Sequence, residues 1–185
     1  MRPKFTDRQN DANARPGPHL WGPVYERVQS ESGDRIVATV PGSGIDLILK
    51  LTEDTPGPYG ILYVLVVPRK TTPGRYQLKE WLDRSSFVTY LERYRAYFEG
   101  DGRHHIWVNC GDESLVVYDR HETLFLYGDL EEFSGVLDDL GYSAGEVRID
   151  FAHVHSYNEE FDDDELSIVN SDDYIYFDLV RSRDL

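Results

Sequence analysis

The sequence has few cysteines, few bases and no long apolar run. A single cysteine, Cys110, rules out an internal disulfide framework and is typical of a reducing compartment, so we expect a cytoplasmic protein. No apolar run approaches the roughly 20 residues that a membrane-spanning helix needs. Residues 1–20 also lack the apolar stretch of a secretory signal. We therefore expect no membrane association.

The shortage of bases gives the chain a strong negative charge. Lys and Arg number 19 against 34 Asp and Glu, which makes the formal net charge −15. Residues 150–185 alone contain eleven acids and two arginines. A surface of this sign repels phosphate backbones, so we expect no direct binding to nucleic acid. It would instead attract a protein with a basic surface.

Composition and length favour one folded domain with an N-terminal extension. Of the 185 residues, 40% are hydrophobic and 13 are tyrosines, which is enough apolar material for a substantial core. Residues 1–34 are rich in Pro, Asn, Asp and Arg, which predicts a flexible or loosely docked arm. Residues 35–185 are predicted to form a single domain.

Two helices are predicted from apolar spacing and end signals. The first runs from Ser86 to Glu99, where apolar residues recur at helical spacing, and ends at Gly100. The second starts at a capping box formed by Asp129 and Glu132 and closes at Gly141.

Eight strands are predicted from apolar runs bounded by turn residues. In order, they are RIVATV, IDLILKL, ILYVLVV, HHIWVN, SLVVYD, TLFLYG, GEVRIDFAHVH and DDYIYFDLV. The first two are predicted to form a hairpin across Pro41-Gly42-Ser43-Gly44; a phosphate-binding loop is the alternative, but no GxGxxG pattern follows. The order βββ-α-βββ-α-β-β indicates an α+β fold, with a mostly antiparallel mixed sheet and two main helices packed on one face.

The best candidate for chemistry is the pair His153 and His155 near the end of the seventh predicted strand. Side chains two residues apart on a strand share a face and are separated by about 6.6 Å along its axis, so both rings could bind one divalent transition metal. The same parity also continues the apolar face of Val147, Ile149 and Phe151. Partly buried structural histidines at the rim of the core are therefore the alternative to a metal site.

A metal site would need a third donor. The candidates are Glu159, Glu160 and Asp162, or another histidine if its strand is a neighbour, such as His104 or His105. His121 lies in the DRHE turn between two strands and is most simply interpreted as a turn residue. No metalloenzyme signature continues the HxH pattern.

The acidic run after the histidines is predicted to be a solvated loop, and with the acids further on it is the candidate partner-binding face. These acids are Glu159, Glu160, Asp162, Asp163, Asp164, Glu165, Asp172 and Asp173.

Catalytic motifs are missing from the sequence. Cys110 is followed by acids that should raise the pKa of its thiol, and no serine stands in a G-x-S-x-G context. The leading hypothesis is therefore a non-enzymatic, cofactor-free acidic protein that binds a basic partner, as an inhibitor, an immunity-type protein or a regulator. The alternative is a metal-binding domain or metal-dependent enzyme centred on His153 and His155.

Overall fold

The described residues form two β-sheets and four α-helices. The computed structural model describes residues 3–7, 17–18, 21–29, 33–112, 114–149 and 151–179. Its strands are β1 (Phe5–Asp7), β2 (Gly17–Pro18), β3 (Val24–Val28), β4 (Arg35–Thr39), β5 (Tyr59–Leu65), β6 (Gly74–Leu78), β7 (His104–Cys110), β8 (Ser114–Tyr118), β9 (Thr123–Tyr127), β10 (Ser143–Ala144), β11 (His153–His155) and β12 (Tyr174–Phe177). Its helices are α1 (Gly44–Leu51), α2 (Arg84–Gly100), α3 (Leu130–Asp139) and α4 (Asp162–Val169).

The larger sheet is mixed and mostly antiparallel. Its nine strands follow the order β10-β3-β4-β9-β8-β7-β5-β6-β12, and β10 with β3 is the one parallel pair among the described strands. The smaller sheet has the order β11-β1-β2 and is antiparallel. Buried residues from all four helices, such as Ile45, Phe87, Phe133 and Ile168, join one core cluster with the sheet. The predicted α+β fold class is confirmed.

The predicted order of elements is wrong at its start, because IDLILKL forms helix α1 and not the second strand of a hairpin. The Ser43 hydroxyl accepts a hydrogen bond from the Asp46 amide, and the Glu99 carboxylate accepts from the Ser43 hydroxyl and the Ile45 amide. Gly44 allows close packing, since a Cβ there would lie 2.4 Å from the Tyr118 ring. The helix N-terminus is therefore fixed by residues distant in sequence.

The long strand predicted over GEVRIDFAHVH is also wrong. Of the described residues of this segment, only His153–His155 at its end form a strand, β11, and the two-residue strand β10 (Ser143–Ala144) lies just before it. Between them the Val147 amide donates to the Glu26 carboxylate at 2.9 Å, so a side chain takes the place of a neighbouring strand. The two short strands therefore belong to different sheets.

The acidic segment is not a loop. Glu159–Phe161 forms a 3-10 turn that continues into α4, which has four acids in its first turn. Acids in the first helical turn interact favourably with the positive end of the helix dipole. The alternating apolar pattern at the C-terminus does form a strand, β12, but Ile175 and Phe177 on it are exposed.

Part of the predicted N-terminal arm is built into the fold. Strand β3 pairs with β4 in the larger sheet, so the predicted boundary at residue 34 falls inside a hairpin. Lys4 and Phe5 are fully buried. Residues 1–2, 8–16, 19–20 and 30–32 lie outside the described residues, and the division into an arm and a domain stays a prediction there.

No helix in the described part of the chain is both long and apolar enough to cross a bilayer.

A buried ion-pair network joins α4 to the core. The fully buried Arg103 guanidinium donates to Asp101 at 2.8 Å, to Asp162 at 3.1 Å and to Glu165 at 2.6 Å. Glu165 also accepts from the backbone amides of residues 69, 70 and 71 and from the Thr71 hydroxyl. Burial alone would raise the pKa of the Glu165 carboxyl, but these hydrogen bonds hold it below its ordinary value.

The same network positions strand β11. Arg103 donates to the Asn158 carbonyl at 2.7 Å, and the Asn158 amide donates to Asp101 at 2.7 Å. The Gly102 amide donates to the Ser156 carbonyl at 2.9 Å. A Cβ at Gly102 would lie 2.5 Å from the Lys4 carbonyl oxygen, so β1 and the chain after β11 meet at a position that only glycine fits.

Replacing Arg103 by Met should destabilise the protein strongly. The change would leave three buried or nearly buried carboxylates without their shared cation, and loss of one partner of a buried ion pair typically costs about 3–5 kcal/mol. The measurement is urea unfolding at pH 7. Asp163→Asn is the control, because Asp163 is an exposed acid in the same helix and should change stability by less than about 0.5 kcal/mol. A loss below about 1 kcal/mol in Arg103→Met would show that the network is not a major support.

Candidate metal centre

Three histidines from two separate segments come together beside the smaller sheet. His153 and His155 lie on β11, and His121 lies in the turn between β8 and β9. Each pair of ring centroids is 4.9 Å apart, and one ligand nitrogen from each ring lies within 4.8 Å of the others. All three side chains are partly buried. The predicted common face of His153 and His155 is present, and His121 supplies a third ring.

Asp119 holds the turn that carries His121. Its carboxylate accepts from the amides of His121 (2.7 Å) and Thr123 (3.1 Å) and from the Thr123 hydroxyl (2.8 Å). The backbone of Glu122 has a φ of 56°, which closes the turn in the left-handed region. The buried Lys4 ammonium donates to the Asp119 carbonyl at 2.9 Å, and burial lowers the pKa of Lys4 to about 8.

Asp119 also orients the His121 ring. Nδ1 of His121 lies 2.7 Å from the second carboxylate oxygen of Asp119 and therefore donates to it. Burial alone would raise the pKa of the Asp119 carboxyl, but the hydrogen bond from His121 and the nearby imidazoles hold it below its ordinary value. With Nδ1 protonated, the neutral ring presents Nε2 as a lone-pair donor. A carboxylate behind a histidine in this way is the usual support of a metal ligand.

His153 is oriented in the same sense by the backbone. Its Nδ1 lies 2.9 Å from the Phe151 carbonyl oxygen, which can only accept, so Nε2 of the neutral ring is again the free lone pair. The Phe5 ring packs edge-on against His153, with centroids 5.6 Å apart. Two of the three rings are thus held in a tautomer that suits metal binding.

His155 is held differently. Its Nε2 accepts a hydrogen bond from Nε of Arg120 at 2.8 Å, and Arg120 also donates to the Tyr157 hydroxyl at 3.1 Å. Nδ1 is buried, faces Gly102 and has no hydrogen-bond partner among the described residues. Burial, reinforced by the positive charge of Arg120, lowers the pKa of His155 to about 3. The ring is therefore neutral, and Arg120 occupies the lone pair that a metal would need.

The geometry is close to that of a metal site but not yet at metal-binding distance. Zinc–nitrogen bonds of 2.0–2.1 Å in a tetrahedral site place the nitrogens about 3.4 Å apart. The 4.8 Å limit for these nitrogens means that the rings must approach by up to about 1.4 Å. Metal binding would therefore require these side chains to move and Arg120 to withdraw from His155 Nε2.

The other candidate third donors do not join this group. Within the described residues, His121, His153 and His155 form the one set of metal-ligating side chains in reach of each other. Glu159 and Asp162 pair with Arg69. Glu160 is not in reach of the cluster either.

His104 and His105 lie on the larger sheet. His104 packs among core rings, 4.4 Å between centroids from Tyr97, and burial holds its pKa well below the ordinary value. Burial also lowers the pKa of His105 to about 4.

Cys110 is buried on β7. Burial raises the pKa of its thiol to about 12, so the direction predicted from the sequence is confirmed. The cause is desolvation and not the acids that follow it, and Arg84 acts in the opposite sense.

Sequence reasoning missed His121, Asp119 and Arg120. They are adjacent in one turn, and the spacing Asp-x-His was visible as a carboxylate able to reach an imidazole. What the sequence did not contain was the position of that turn relative to β11. Strand β1 pairs with β11, and Lys4, just before β1, donates to Glu122 and to the Asp119 carbonyl in the turn.

The buried histidines predict a defined pH dependence of stability. The unfolded reference pKa is near 6.5, while the folded values are about 3 for His155 and about 4 for His105, so the unfolded chain binds more protons below pH 6.5. Their contribution to stability is complete above pH 6.5 and is lost as the pH falls toward 4 and then 3. Replacing His155 by Gln keeps an acceptor for Arg120 but removes the titration.

We expect the free energy of unfolding to fall between pH 7 and 5 in the wild type and to fall less in His155→Gln. After allowance for partial exposure, the difference should be about 1 kcal/mol. The measurement is chemical denaturation with a chelator present, so that no metal contributes. An identical pH dependence in both proteins would contradict the assignment.

Comparison with protein-family models, with curated proteins and with solved structures gives no match for this chain. The geometry of the histidine cluster and the charge distribution are therefore the whole basis for assigning a function.

Proposed function

We propose that this protein binds a divalent transition metal, with zinc as the reference ion, through His121, His153 and His155. The observation that carries the proposal is the orientation of two rings, since Asp119 and the Phe151 carbonyl each fix a tautomer that presents Nε2. Imidazole nitrogens suit zinc, copper, iron and nickel. Three protein ligands leave a fourth position for water, which is the pattern of a catalytic rather than a closed structural zinc site.

The supporting shell favours this proposal over a purely structural histidine cluster. The Asp119 carboxylate and the Phe151 carbonyl each accept from an Nδ1 of the cluster, which is the usual support behind a metal-binding histidine. Three imidazole rings with centroids 4.9 Å apart also gain little from one another. A shared metal ion would supply the attraction that the isolated cluster lacks.

Tag-free protein should bind one zinc ion per chain, and each ligand variant should lose it. His121→Gln and His153→Gln should weaken binding by more than about a hundredfold, because even the outer partners of metal ligands are worth 10–100-fold. Asp119→Asn should weaken it by about 10–100-fold, since one oxygen still supports the turn while the other no longer accepts from His121. The measurements are elemental analysis and zinc titration against a chromophoric chelator.

The matched control is His105→Gln, which removes a histidine outside the cluster and should leave zinc affinity unchanged. Wild-type protein that carries less than about 0.2 zinc per chain and shows no saturable binding would end the proposal. Equal affinity in the wild type and His153→Gln would also end it.

Replacing Arg120 by Met should tighten zinc binding. The guanidinium holds the lone pair of His155 Nε2 and places a positive charge beside the site, and both effects oppose a dication. We expect at least about a tenfold gain, equivalent to about 1.4 kcal/mol, read in the same titration. Arg93→Met, which removes an arginine at α2, is the control and should have no effect. Weaker binding in Arg120→Met would show that Arg120 supports the site instead of competing for it.

A second candidate is a non-enzymatic role as the acidic partner of a basic protein, supported by the net charge of −15. Asp162 and Glu165 serve the internal network with Arg103. The acids left exposed for a partner are Glu159, Glu160, Asp163, Asp172 and Asp173. We propose a cytoplasmic location for both candidate functions, because the single cysteine needs no oxidising compartment.

A further inference from the structure

Strand β12 forms one edge of the larger sheet and is unusually apolar for an edge. Among the described strands it pairs only with β6. Three consecutive large side chains on it are exposed: Ile175 by 45%, Tyr176 by 44% and Phe177 by 41%. Natural sheets usually protect such an edge, because its unpaired amides and carbonyls can accept another strand.

The free backbone groups of this edge can be identified. The Lys79 amide donates to the Asp173 carbonyl at 2.8 Å, and Ile175 and Phe177 follow in register opposite Gln77 and Arg75. Antiparallel strands alternate between hydrogen-bonded and non-hydrogen-bonded positions. The amide and carbonyl of Tyr176 therefore point away from β6, toward the open edge.

A groove accompanies the edge on one face of the sheet. It is lined by Leu62, Arg75, Gln77 and Phe177. The Arg75 guanidinium lies over the Phe177 ring, 5.9 Å from its centroid. On the other face the Tyr176 ring packs across Gly74, where an added Cβ would lie 2.3 Å from it. A strand added beside β12 would find apolar contacts on both faces.

The charges at the ends of β12 favour a segment with basic ends over a second copy of this chain. Asp172 and Asp173 precede the strand and Asp178 follows it, and all three are exposed. In an antiparallel pair of two copies centred on Tyr176, Asp178 of one copy would face Tyr174 of the other and lie diagonal to Asp172, so acids of both copies would come together at each end of the pair. Like charges at that spacing are destabilising. The base Arg75 lies on β6, one strand further in, and Lys79 follows directly after β6.

We propose that the β12 edge binds an extended segment of another protein, with apolar residues at alternate positions and Lys or Arg at its ends. The strand would pair with the backbone of Tyr176, set apolar side chains beside Ile175 and Phe177, and place its basic ends near Asp173 and Asp178. The surface goes beyond metal binding and does not depend on it. It gives the second candidate function a defined contact region.

The test uses three blocked, fluorescent heptapeptides and measures fluorescence polarisation at 20 and 150 mM salt. KTVTVTK has alternating valines and basic ends, as proposed, and ETVTVTE replaces the basic ends by acidic ones. KTVPVTK has proline at its centre and so lacks the backbone amide that would donate to the Tyr176 carbonyl. We expect KTVTVTK to bind at least about tenfold more tightly than either of the others, with a larger margin over ETVTVTE at low salt.

Two variants locate the peptide on the protein. Tyr176→Pro removes the outward amide without removing a bond to β6 and should weaken KTVTVTK binding at least about tenfold. The double variant Asp173→Asn/Asp178→Asn removes two negative charges without altering the backbone. It should reduce the ratio of affinities for KTVTVTK and ETVTVTE to less than about threefold. Leu140→Gln, an equally exposed apolar residue outside this surface, is the control and should leave binding unchanged.

Equal affinity for all three peptides, no binding of any of them, or unchanged binding in both edge variants would overturn the proposal. A wild-type dimer in light scattering that Tyr176→Pro converts to a monomer would also overturn it, because the occupant would then be a second copy. Zinc binding can succeed or fail independently of each of these results.

Discussion

Burial of the Arg103 guanidinium is the constraint on which the rest of the structure depends. A fully buried arginine is tolerated only where carboxylates and carbonyls satisfy it, and here those groups come from a loop, a turn and helix α4. Because no single segment can satisfy Arg103, the segments must assemble together. Asp162 and Glu165 are thereby drawn into the interior, although the acidic sequence around them is typical of a solvated surface.

The histidine cluster follows from that assembly. Arg103 and Asp101 fix Asn158, the Gly102 amide fixes Ser156, and the Ser156 amide in turn donates to the Lys4 carbonyl. Strand β11 is thus placed beside β1, whose Lys4 side chain reaches the Asp119 turn. Two of the chain's few basic side chains, Arg103 and Lys4, therefore connect these segments. The candidate site is built at the meeting point of three segments and not on any one element.

The elements that could be predicted from the sequence are those determined by contacts between residues close together in the chain. Helix α3 has its cap, apolar stripe and closing Gly141 within one stretch, and it was predicted correctly. Helix α1 was mistaken for a strand because its apolar residues alternate, and the carboxylate that caps it belongs to Glu99 on α2. The pairing of His153 with His155 follows from strand parity, whereas His121 joins them only through contacts between distant segments.

Arg120 holds His155 through the same nitrogen that the proposed metal ion would use. A guanidinium and a metal ion are both cations that seek the lone pair of His155 Nε2, and Arg120 also has the Tyr157 hydroxyl as an acceptor. Burial lowers the pKa of His155 to about 3, and its Nδ1 is buried and unpaired among the described residues. Because the two cations would exclude each other from the same nitrogen, metal affinity at the proposed site would depend on how easily the Arg120 side chain can leave His155 and Tyr157 for solvent.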